Sequence, residues 1–268
     1  MYKTKEDKAY ILTNHHVIES ADEVKVVFTN NTKEQVEILG SDKYSDVAVL
    51  GIDKEKIISI AELGSSESLK VGDTAFAVGA PLDSSTYAWT VTRGIISGKD
   101  RVVQTQDNVM KVLQTDTAIN SGNSGGPLCN SNGQVIGITN MKLASTSVEG
   151  MGFAIPIEIA TEMAETLMEG KEVRRPYLGI EVGEMRNSQT QETYLIVGLV
   201  SEGSAAEKAG MKTDDIILAV NDVEVNTIAY FQHELYKYKI GEKIKITIER
   251  DGDQKTLVVK LGSKGKEA

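Results

Sequence analysis

The first 156 residues contain a series of short segments rich in β-branched and aliphatic residues, and this series most constrains the fold. The segments are separated by turn residues, with no helical pattern between them. They are "KAYILT", "EVKVVFT", "EQVEILG", "VAVLGI", "DTAFAVGA", "TVTRGIISG", "NVMKVLQTD", "QVIGITN" and "GMGFAIP". Many short strands without alternating helices are typical of a barrel or a sandwich. We therefore predict a mainly β domain over residues 1–158.

A different pattern follows Pro156. The stretch "PIEIATEMAETLMEGK" places Ile159, Met163, Leu167 and Met168 on one face of a helix that Gly170 ends. We assign residues 159–175 to a helical linker. Residues 176–262 then mix strand and helix patterns over about 85 positions, the size of a small α+β domain, and 263–268 form a tail.

The composition excludes several classes of protein. The chain has 268 residues, and its 39 acidic and 29 basic side chains give a net charge of −10, which argues against nucleic acid as a partner. The start, "MYKTKEDKAY", lacks the apolar core of a signal peptide, and no apolar run approaches a membrane span. The single cysteine, Cys129, rules out an internal disulfide, and we expect it to be a buried strand residue. We expect a soluble chain.

The stretch "INSGNSGGPLCN" places Ser124 among three glycines. Glycines permit a tight turn that aims successive N–H groups at one point, and such a loop can bind an oxyanion. A serine hydroxyl is a weak nucleophile unless a base lies within reach and a third group orients that base. On this motif alone, a nucleophile loop and an ordinary glycine-rich turn are equal alternatives.

Few residues could serve as the base. The chain has three histidines, and His233 lies in the helical pattern "AYFQHELYKY" of the second domain, which leaves His15 and His16 in "LTNHHVI". The candidate orienting group is Asp46, at the start of the apolar strand in "YSDVAVLGI". A carboxylate beside such a strand is either exposed or buried with a partner. The residues alone do not choose between the two histidines, and a solvated loop histidine stays an alternative.

Three motifs together carry a resemblance to a known family. In the order His, Asp, Ser, the stretches "TNHHVI", "SDVAVLGI" and "GNSGGPL" resemble the trypsin-like proteases of the HtrA/DegP family. The second half, with "YLGI" and "SAAEKAGMKTDDIILAVNDVEV", resembles the PDZ domain that follows the protease in that family. The resemblance spans nearly the whole chain. It implies a two-barrel chymotrypsin-like protease domain, here with a shortened first strand, followed by a small α+β PDZ domain.

The resemblance assigns roles within the first domain. The family pattern of Thr, Asn, any residue, His and Val matches His16 to the catalytic histidine and places His15 in the variable slot. It implies Asp46 as the orienting group and Ser124 as the nucleophile of an acyl-enzyme mechanism that needs no metal or cofactor. The implied oxyanion hole consists of the backbone N–H groups of Gly122, Asn123 and Ser124.

The surroundings of the nucleophile suggest its specificity and regulation. The resemblance places Ala118 at the base of the specificity pocket, with Ile119 as a wall, which favours small or medium aliphatic substrate side chains. We interpret Asp116 as structural. Digestive relatives have an aspartate where this chain has Asn123, so we expect no zymogen cleavage and instead regulation by loop rearrangement. The loops expected to move are 82–89, 100–109 and 141–150.

The second domain is predicted to bind peptide C-termini. The resemblance assigns the carboxylate-binding loop to Tyr177, Leu178, Gly179 and Ile180, with the helix around 228–238 as the other wall of the groove. The alternative is that these are ordinary strand residues in a core. Asp214 and Asp222 stand where the family has glycines, and we expect both in the left-handed backbone region, which aspartate tolerates.

The resemblance also implies partners and location. The leading hypothesis is an ATP-independent serine endopeptidase of misfolded or unfolded proteins, and the alternative is a non-catalytic chaperone or adaptor. Family members form homotrimers through N-terminal contacts and are anchored in the cell envelope, outside the cytoplasm. Only "MYKT" precedes the first turn here. We therefore expect a weakened trimer contact, and a chain without signal or anchor that represents a truncated or alternatively started form.

Overall fold

A computed structural model describes residues 2–80, 89–104, 109–140, 150–186, 188 and 191–263. The chain divides into two compact units. The first comprises positions 1–103 and 110–173, and the second consists mainly of the residues from Arg174 onward. Most of the predicted mobile loops, at positions 82–88, 105–108 and 141–149, lie outside the described residues.

The first unit begins with a five-stranded antiparallel sheet. Its strands are β1 (Lys3–Lys5), β2 (Lys8–Thr13), β3 (Val24–Val27), β4 (Lys33–Asp42) and β5 (Val47–Asp53), in the spatial order β1-β2-β5-β4-β3. The short helix α1 (His15–Ile18) follows β2, and a 3-10 turn (Lys54–Lys56) follows β5. The central strand β5 is buried from Val47 to Ile52, which explains its uninterrupted apolar sequence. The first strand is short, as predicted.

A closed six-stranded barrel completes the first unit. Its strands are β6 (Thr74–Gly79), β7 (Thr90–Gln104), β8 (Val109–Thr115), β9 (Pro127–Cys129), β10 (Val135–Thr139) and β11 (Gly152–Pro156), in the order β10-β11-β8-β7-β6-β9. Inward-facing Ile96, Leu128 and Ile136 are fully buried. Cys129 is half-buried at the end of β9, and burial raises the pKa of its thiol.

Strand β7 extends further than the sequence predicts. We expected a loop from position 100, but the strand continues to Gln104. Contacts to the neighbouring strand accompany this extension: Lys111 Nζ lies 2.7 Å from Asp100 Oδ1, and Arg101 Nε lies 3.2 Å from Gln114 Oε1. Cross-strand polar pairs of this kind support strand pairing where the apolar pattern is weak.

Helix α2 (Ile157–Met168) packs onto the first unit. Its buried residues are Ile157, Ala160, Ala164 and Leu167. They share one core cluster with residues of β2, β5, β8, β10 and β11. The structure therefore places most of the predicted linker, 159–175, within the first unit, because an apolar helix stripe must be covered. Gly170 follows the helix end with φ of +66°, as a terminating glycine should.

The second unit is a small α+β domain. Its strands are β12 (Pro176–Tyr177), β13 (Ile180–Arg186), β14 (Thr193–Val200), β15 (Ile216–Val220), β16 (Val223–Glu224), β17 (Lys243–Arg250), β18 (Asp253–Lys260) and β19 (Gly262–Ser263), and its helices are α3 (Ala205–Lys208) and α4 (Ile228–Leu235). The main sheet has the order β13-β14-β15-β17-β18, with β16 on β15, and β12 pairs with β19. Asp214 and Asp222 have φ of 69° and 68°, which confirms the predicted left-handed backbone.

The fold class predicted from the sequence is confirmed: a mainly β domain precedes a small α+β domain. Within the described ranges, no helix has the length and apolar content needed to cross a membrane.

A buried ion pair holds the turn before β15. Asp215 is fully buried, and Arg250 binds it through Nε at 2.6 Å and Nη2 at 2.7 Å. Burial by itself would raise the pKa of Asp215, but hydrogen bonds from Arg250 and from the Lys212 N–H hold the pKa below its ordinary value. At pH values above the ordinary pKa of an aspartate, the charge of Asp215 therefore stabilises the folded state. This contribution is lost as the pH falls through the lowered pKa of the folded protein.

We expect Arg250→Ala to lower the free energy of unfolding of the second unit by about 3 kcal/mol at neutral pH, because Asp215 is left buried without its cationic partner. The difference should shrink at acid pH as Asp215 takes up a proton. Urea unfolding at several pH values measures both effects. Lys243→Ala, which removes an exposed cation from the same strand, is the control. If the unfolding free energy of the two variants had the same value and the same pH dependence, the assignment of a stabilising buried ion pair between Asp215 and Arg250 would be contradicted.

Candidate active site

The two adjacent histidines at the start of α1 face different neighbours. The His15 ring lies 2.9 Å from Ser41 Oγ through Nδ1 and 3.7 Å from Glu19 Oε1 through Nε2. The His16 ring lies between the side chains of Asp46 and Ser124. The structure therefore brings His16, and not His15, to the two other predicted residues.

Asp46 is buried directly before the central strand β5. Its side chain is 5% exposed, and its backbone has φ of +54°. Oδ2 lies 2.7 Å from His16 Nδ1, and Oδ1 accepts a hydrogen bond of 2.9 Å from the His16 N–H. The carboxylate is thus buried with a partner, which was one of the two alternatives for a charge beside an apolar strand.

Ser124 lies in a tight turn that connects β8 to β9. Its Oγ is 3.0 Å from His16 Nε2. The adjacent Gly125 has φ of +81°, and a Cβ there would come within 2.4 Å of Thr13 Oγ1 at the end of β2. Only glycine permits this close approach. It brings the barrel loop that carries Ser124 against the segment that carries His16.

The three side chains form one line of hydrogen bonds. An ionised carboxylate only accepts, so the proton of a neutral His16 ring lies on Nδ1, and Nε2 presents a lone pair to the Ser124 hydroxyl. In this arrangement His16 can take the hydroxyl proton while Asp46 orients the ring. A nucleophile, a base and an orienting group are the requirements for serine-based acyl transfer.

The three predicted oxyanion donors point into their own loop. Gly122 N–H donates to Asn120 Oδ1 at 3.1 Å. The N–H groups of Asn123 and Ser124 both donate to the Asn120 carbonyl, at 3.2 and 3.3 Å. An oxyanion would have to replace Asn120 as the acceptor of these N–H groups.

The neutral side chain of Asn123 forms hydrogen bonds within the same loop. Its Nδ2 donates to the Ala118 carbonyl at 2.9 Å, and its Oδ1 accepts from the Asn120 N–H at 2.9 Å. The Thr139 hydroxyl donates to the Asn123 carbonyl. The amide therefore has partners within the first unit, where a carboxylate would need a cation.

The predicted specificity residues lie close to this loop. Ala118 is exposed, and Ile119 packs against the barrel core. A Cβ on Gly152 of β11 would come within 2.7 Å of Ile119 Cγ1, so the two backbones pass close together. Asp116 Oδ1 accepts a hydrogen bond of 2.6 Å from the Ile95 N–H, which agrees with a structural role.

Sequence reasoning missed two buried asparagines at this site. Asn14 donates from Nδ2 to the Asp46 carbonyl at 3.0 Å and accepts from Ser124 Oγ at 3.3 Å. Asn140 donates from Nδ2 to Asp46 Oδ2 at 2.7 Å. Both are fully buried. The available signal was an amide beside the histidines in "LTNHHVI" and another directly after the buried strand of "QVIGITN".

The predicted peptide loop of the second unit, from Tyr177 to Ile180, turns its carbonyls inward. The Leu178 carbonyl accepts from Ala206 N–H and the Gly179 carbonyl from Ser201 N–H, each at 2.9 Å. Within the described part of the chain, the N–H groups of Leu178 and Gly179 have no acceptor. Gly179 has φ of +81°, and a Cβ there would lie 2.3 Å from Ser204 Cβ.

A cavity of about 830 Å³ lies beside this loop. It is lined by apolar side chains, including Leu178 and Leu261, and by Lys208 and Lys260. Helix α4, predicted as the other wall of the groove, lies beside β13, the strand that begins at Ile180 of this loop, and Glu184 Oε1 accepts from the Ile228 N–H at 2.7 Å. Among the residues with described positions, no three metal-ligating side chains are grouped to hold a metal ion.

Comparison with known families and proteins agrees with both units. The trypsin-like peptidase domain family matches residues 4–138, and the PDZ domain family matches residues 176–261. Fold and site thus define a trypsin-like peptidase domain followed by a PDZ domain.

Individual relatives extend this similarity over almost the whole chain. The chain is 38% identical to Serine protease Do-like HtrA and 41% identical to Serine protease Do-like HtrB, both of Bacillus subtilis, over 98% and 96% of its length. It spans 63% and 60% of those two proteins. The solved structure of the HtrA-type protease AlgW with a decapeptide is 31% identical, with a TM-score of 0.74 over 97% of this chain and 81% of that one. The chain belongs to the HtrA family of serine proteases.

Proposed function

We propose that the chain is an ATP-independent serine endopeptidase that cleaves misfolded or unfolded proteins. The observation that carries the proposal is the line of hydrogen bonds from Asp46 through His16 to Ser124, with heavy-atom separations of 2.7 and 3.0 Å. A domain that only bound polypeptides would not need a base aligned on a serine hydroxyl. Membership of the HtrA family supports the proposed substrate class.

The mechanism follows from the positions of the protons. His16 Nε2 takes the hydroxyl proton as Ser124 Oγ attacks the peptide carbonyl carbon, and Asp46 stabilises the resulting imidazolium. His16 then protonates the leaving amine, and the acyl group remains on Ser124. Water, activated by the same Nε2, releases the product acid and restores the serine.

Stabilisation of the oxyanion requires a change in the loop. The N–H groups of Gly122 and Ser124 would contribute about 3 to 4 kcal/mol each to the transition state, but both donate to Asn120 in this structure. We propose that the stretch 120–124 rearranges before turnover. The same observation favours the second candidate function, a non-catalytic chaperone or adaptor in which these N–H groups stay bound to Asn120.

We expect Ser124→Ala and His16→Ala each to lower the rate of casein hydrolysis by a factor of at least about 10⁴, because each removes a group that acts with the others as a unit. Release of fluorescent peptides from labelled, unfolded casein measures the rate, and a fluorophosphonate probe reports the reactivity of Ser124. His15→Ala is the matched control and should retain activity within a few fold, because its ring faces Ser41 and Glu19.

Two results would contradict the peptidase proposal. Absence of both cleavage and labelling in the unaltered chain would favour the binding function. Cleavage that persists in Ser124→Ala would place the nucleophile elsewhere.

The specificity pocket is proposed to accept small or medium aliphatic side chains, because Ala118 provides no carboxylate for a basic residue. Mass spectrometry of cleaved peptide libraries should therefore find most cuts after such residues. Ala118→Asp should increase the share of cuts after Lys and Arg. A library cut mainly after Lys or Arg by the unaltered chain would refute the assignment of this pocket.

The PDZ domain is proposed to bind peptide C-termini at the loop from Tyr177 to Ile180. The N–H groups of Leu178 and Gly179 would receive the terminal carboxylate. Lys208 and Lys260 add positive charge, and the apolar lining suits an aliphatic last side chain. Family membership alone supports a homotrimer and a place in the cell envelope, and both stay proposals.

A fluorescent decapeptide with an aliphatic last residue should bind at least tenfold more tightly with a free C-terminal carboxylate than with an amidated one, because the amide lacks the charge that the loop receives. Fluorescence anisotropy measures the affinities. Lys208→Ala should weaken only the carboxylate form, whereas the control Lys243→Ala, on β17, should weaken neither. Equal binding of the two peptides would exclude carboxylate recognition.

A further inference from the structure

Asn14 connects the orienting residue to the nucleophile. It lies between β2 and α1, immediately before the two histidines, and it is fully buried. Its Nδ2 is 3.0 Å from the Asp46 carbonyl oxygen, and its Oδ1 is 3.3 Å from Ser124 Oγ. It occupies the N-cap position of α1, but its side chain makes no capping hydrogen bond to the helix.

Hydrogen-bond chemistry fixes the orientation of this amide. The Asp46 carbonyl can only accept, so the NH₂ group of Asn14 must face it, and the amide oxygen must face Ser124. Asn14 Oδ1 is therefore an acceptor aimed at the hydroxyl that carries out the reaction.

The Ser124 hydroxyl thus lies close to both His16 Nε2, at 3.0 Å, and Asn14 Oδ1, at 3.3 Å. The shorter separation favours His16 while Nε2 has a lone pair. Once His16 is protonated, Nε2 becomes a donor and no longer accepts. The hydroxyl can then donate to Asn14 and accept from His16 at the same time.

We infer that Asn14 is a positioning residue for Ser124. Asn14 accepts the hydrogen bond of the Ser124 hydroxyl whenever His16 is protonated, and in this way it stabilises the imidazolium form of His16. The inference rests on the proposed peptidase function only for its consequence in catalysis. Its direct consequence is that Asn14 raises the proton affinity of His16 in the resting protein.

The charges around His16 permit this effect to be isolated. Within the described residues, Asp46 is the carboxylate in contact with the ring, and Glu19 faces His15. Asn140, which donates to the Asp46 carboxylate, and Asn14, which accepts from the Ser124 hydroxyl, are both neutral. Exchanging either asparagine therefore changes hydrogen bonds without adding or removing a charge.

Asn140 provides the matched control, because it is another fully buried asparagine bound to Asp46. It donates to the carboxylate itself, at Oδ2. Loss of this donor leaves the carboxylate less satisfied and so increases its attraction for the imidazolium. Asn140→Leu should therefore move the His16 titration to higher pH, whereas Asn14→Leu should move it to lower pH.

The experiment follows the histidine titrations by NMR on the full chain labelled with ¹³C-histidine. The chain has three histidines, and His15→Ala and His233→Ala assign the His16 signal by elimination. We expect Asn14→Leu to lower the midpoint of the His16 titration by about 0.5 to 1 pH unit, the effect of one hydrogen bond lost from the protonated form. In a Ser124→Ala background, the same substitution should have no effect on the midpoint.

An unchanged or raised midpoint in Asn14→Leu would overturn the inference. So would an equal lowering in Asn14→Leu and Asn140→Leu, which would indicate packing damage, or a shift that persists in the Ser124→Ala background. Thermal unfolding checks the fold, and Asn14→Ala, which adds no bulk, replaces the leucine variant if that variant does not fold.

The NMR readout separates this inference from the proposed function, because it requires no turnover. If casein is cleaved, the acidic midpoint of the kcat/KM profile should move in the same direction as the NMR midpoint. If casein is not cleaved and the fluorophosphonate does not label Ser124, the peptidase proposal fails, while the titration still decides the role of Asn14.

Discussion

The buried carboxylate of Asp46 is the interaction on which the site depends. An ionised group of this kind is costly to remove from water unless donors surround it, and here the backbone and ring of His16 and the amide of Asn140 supply them. These donors come from α1 and from the end of β10. The N-terminal sheet and the barrel must therefore both be in place before the charge is satisfied.

In the Ser124 loop, the position of the loop and its internal hydrogen bonds depend on different residues. Its position depends on glycine at 125, whereas its internal hydrogen bonds centre on Asn120. Ser124, the proposed nucleophile, is aligned with His16, its proposed base, while the N–H groups of Gly122, Asn123 and Ser124 are bound to Asn120. Alignment of the hydroxyl and availability of the oxyanion donors are thus separate properties of this loop.

Much of this organisation could be predicted from the sequence. The apolar run after Asp46 predicted a buried strand, and the motifs around His16 and Ser124 indicated which residues to expect together. Helix α2 was predicted, but its packing against the first unit was not. An amphipathic pattern shows that one face of a helix is covered, but it does not show which surface covers that face. The contacts of Asn120 were not predictable either, since they depend on backbone angles within a glycine-rich turn, and the roles of Asn14 and Asn140 depend on contacts with residues distant in sequence.

Helix α2 has a consequence for the order of events during synthesis. Its side chains complete a core cluster that includes Tyr10 of β2 and Val49 of β5, on either side of the His16 and Asp46 segments. A growing chain exposes that cluster until residues 157–168 have emerged from the ribosome. The core beneath the His16 and Asp46 segments is therefore complete only after α2 has been synthesised, and a nascent chain that ends before this helix lacks that support for the site.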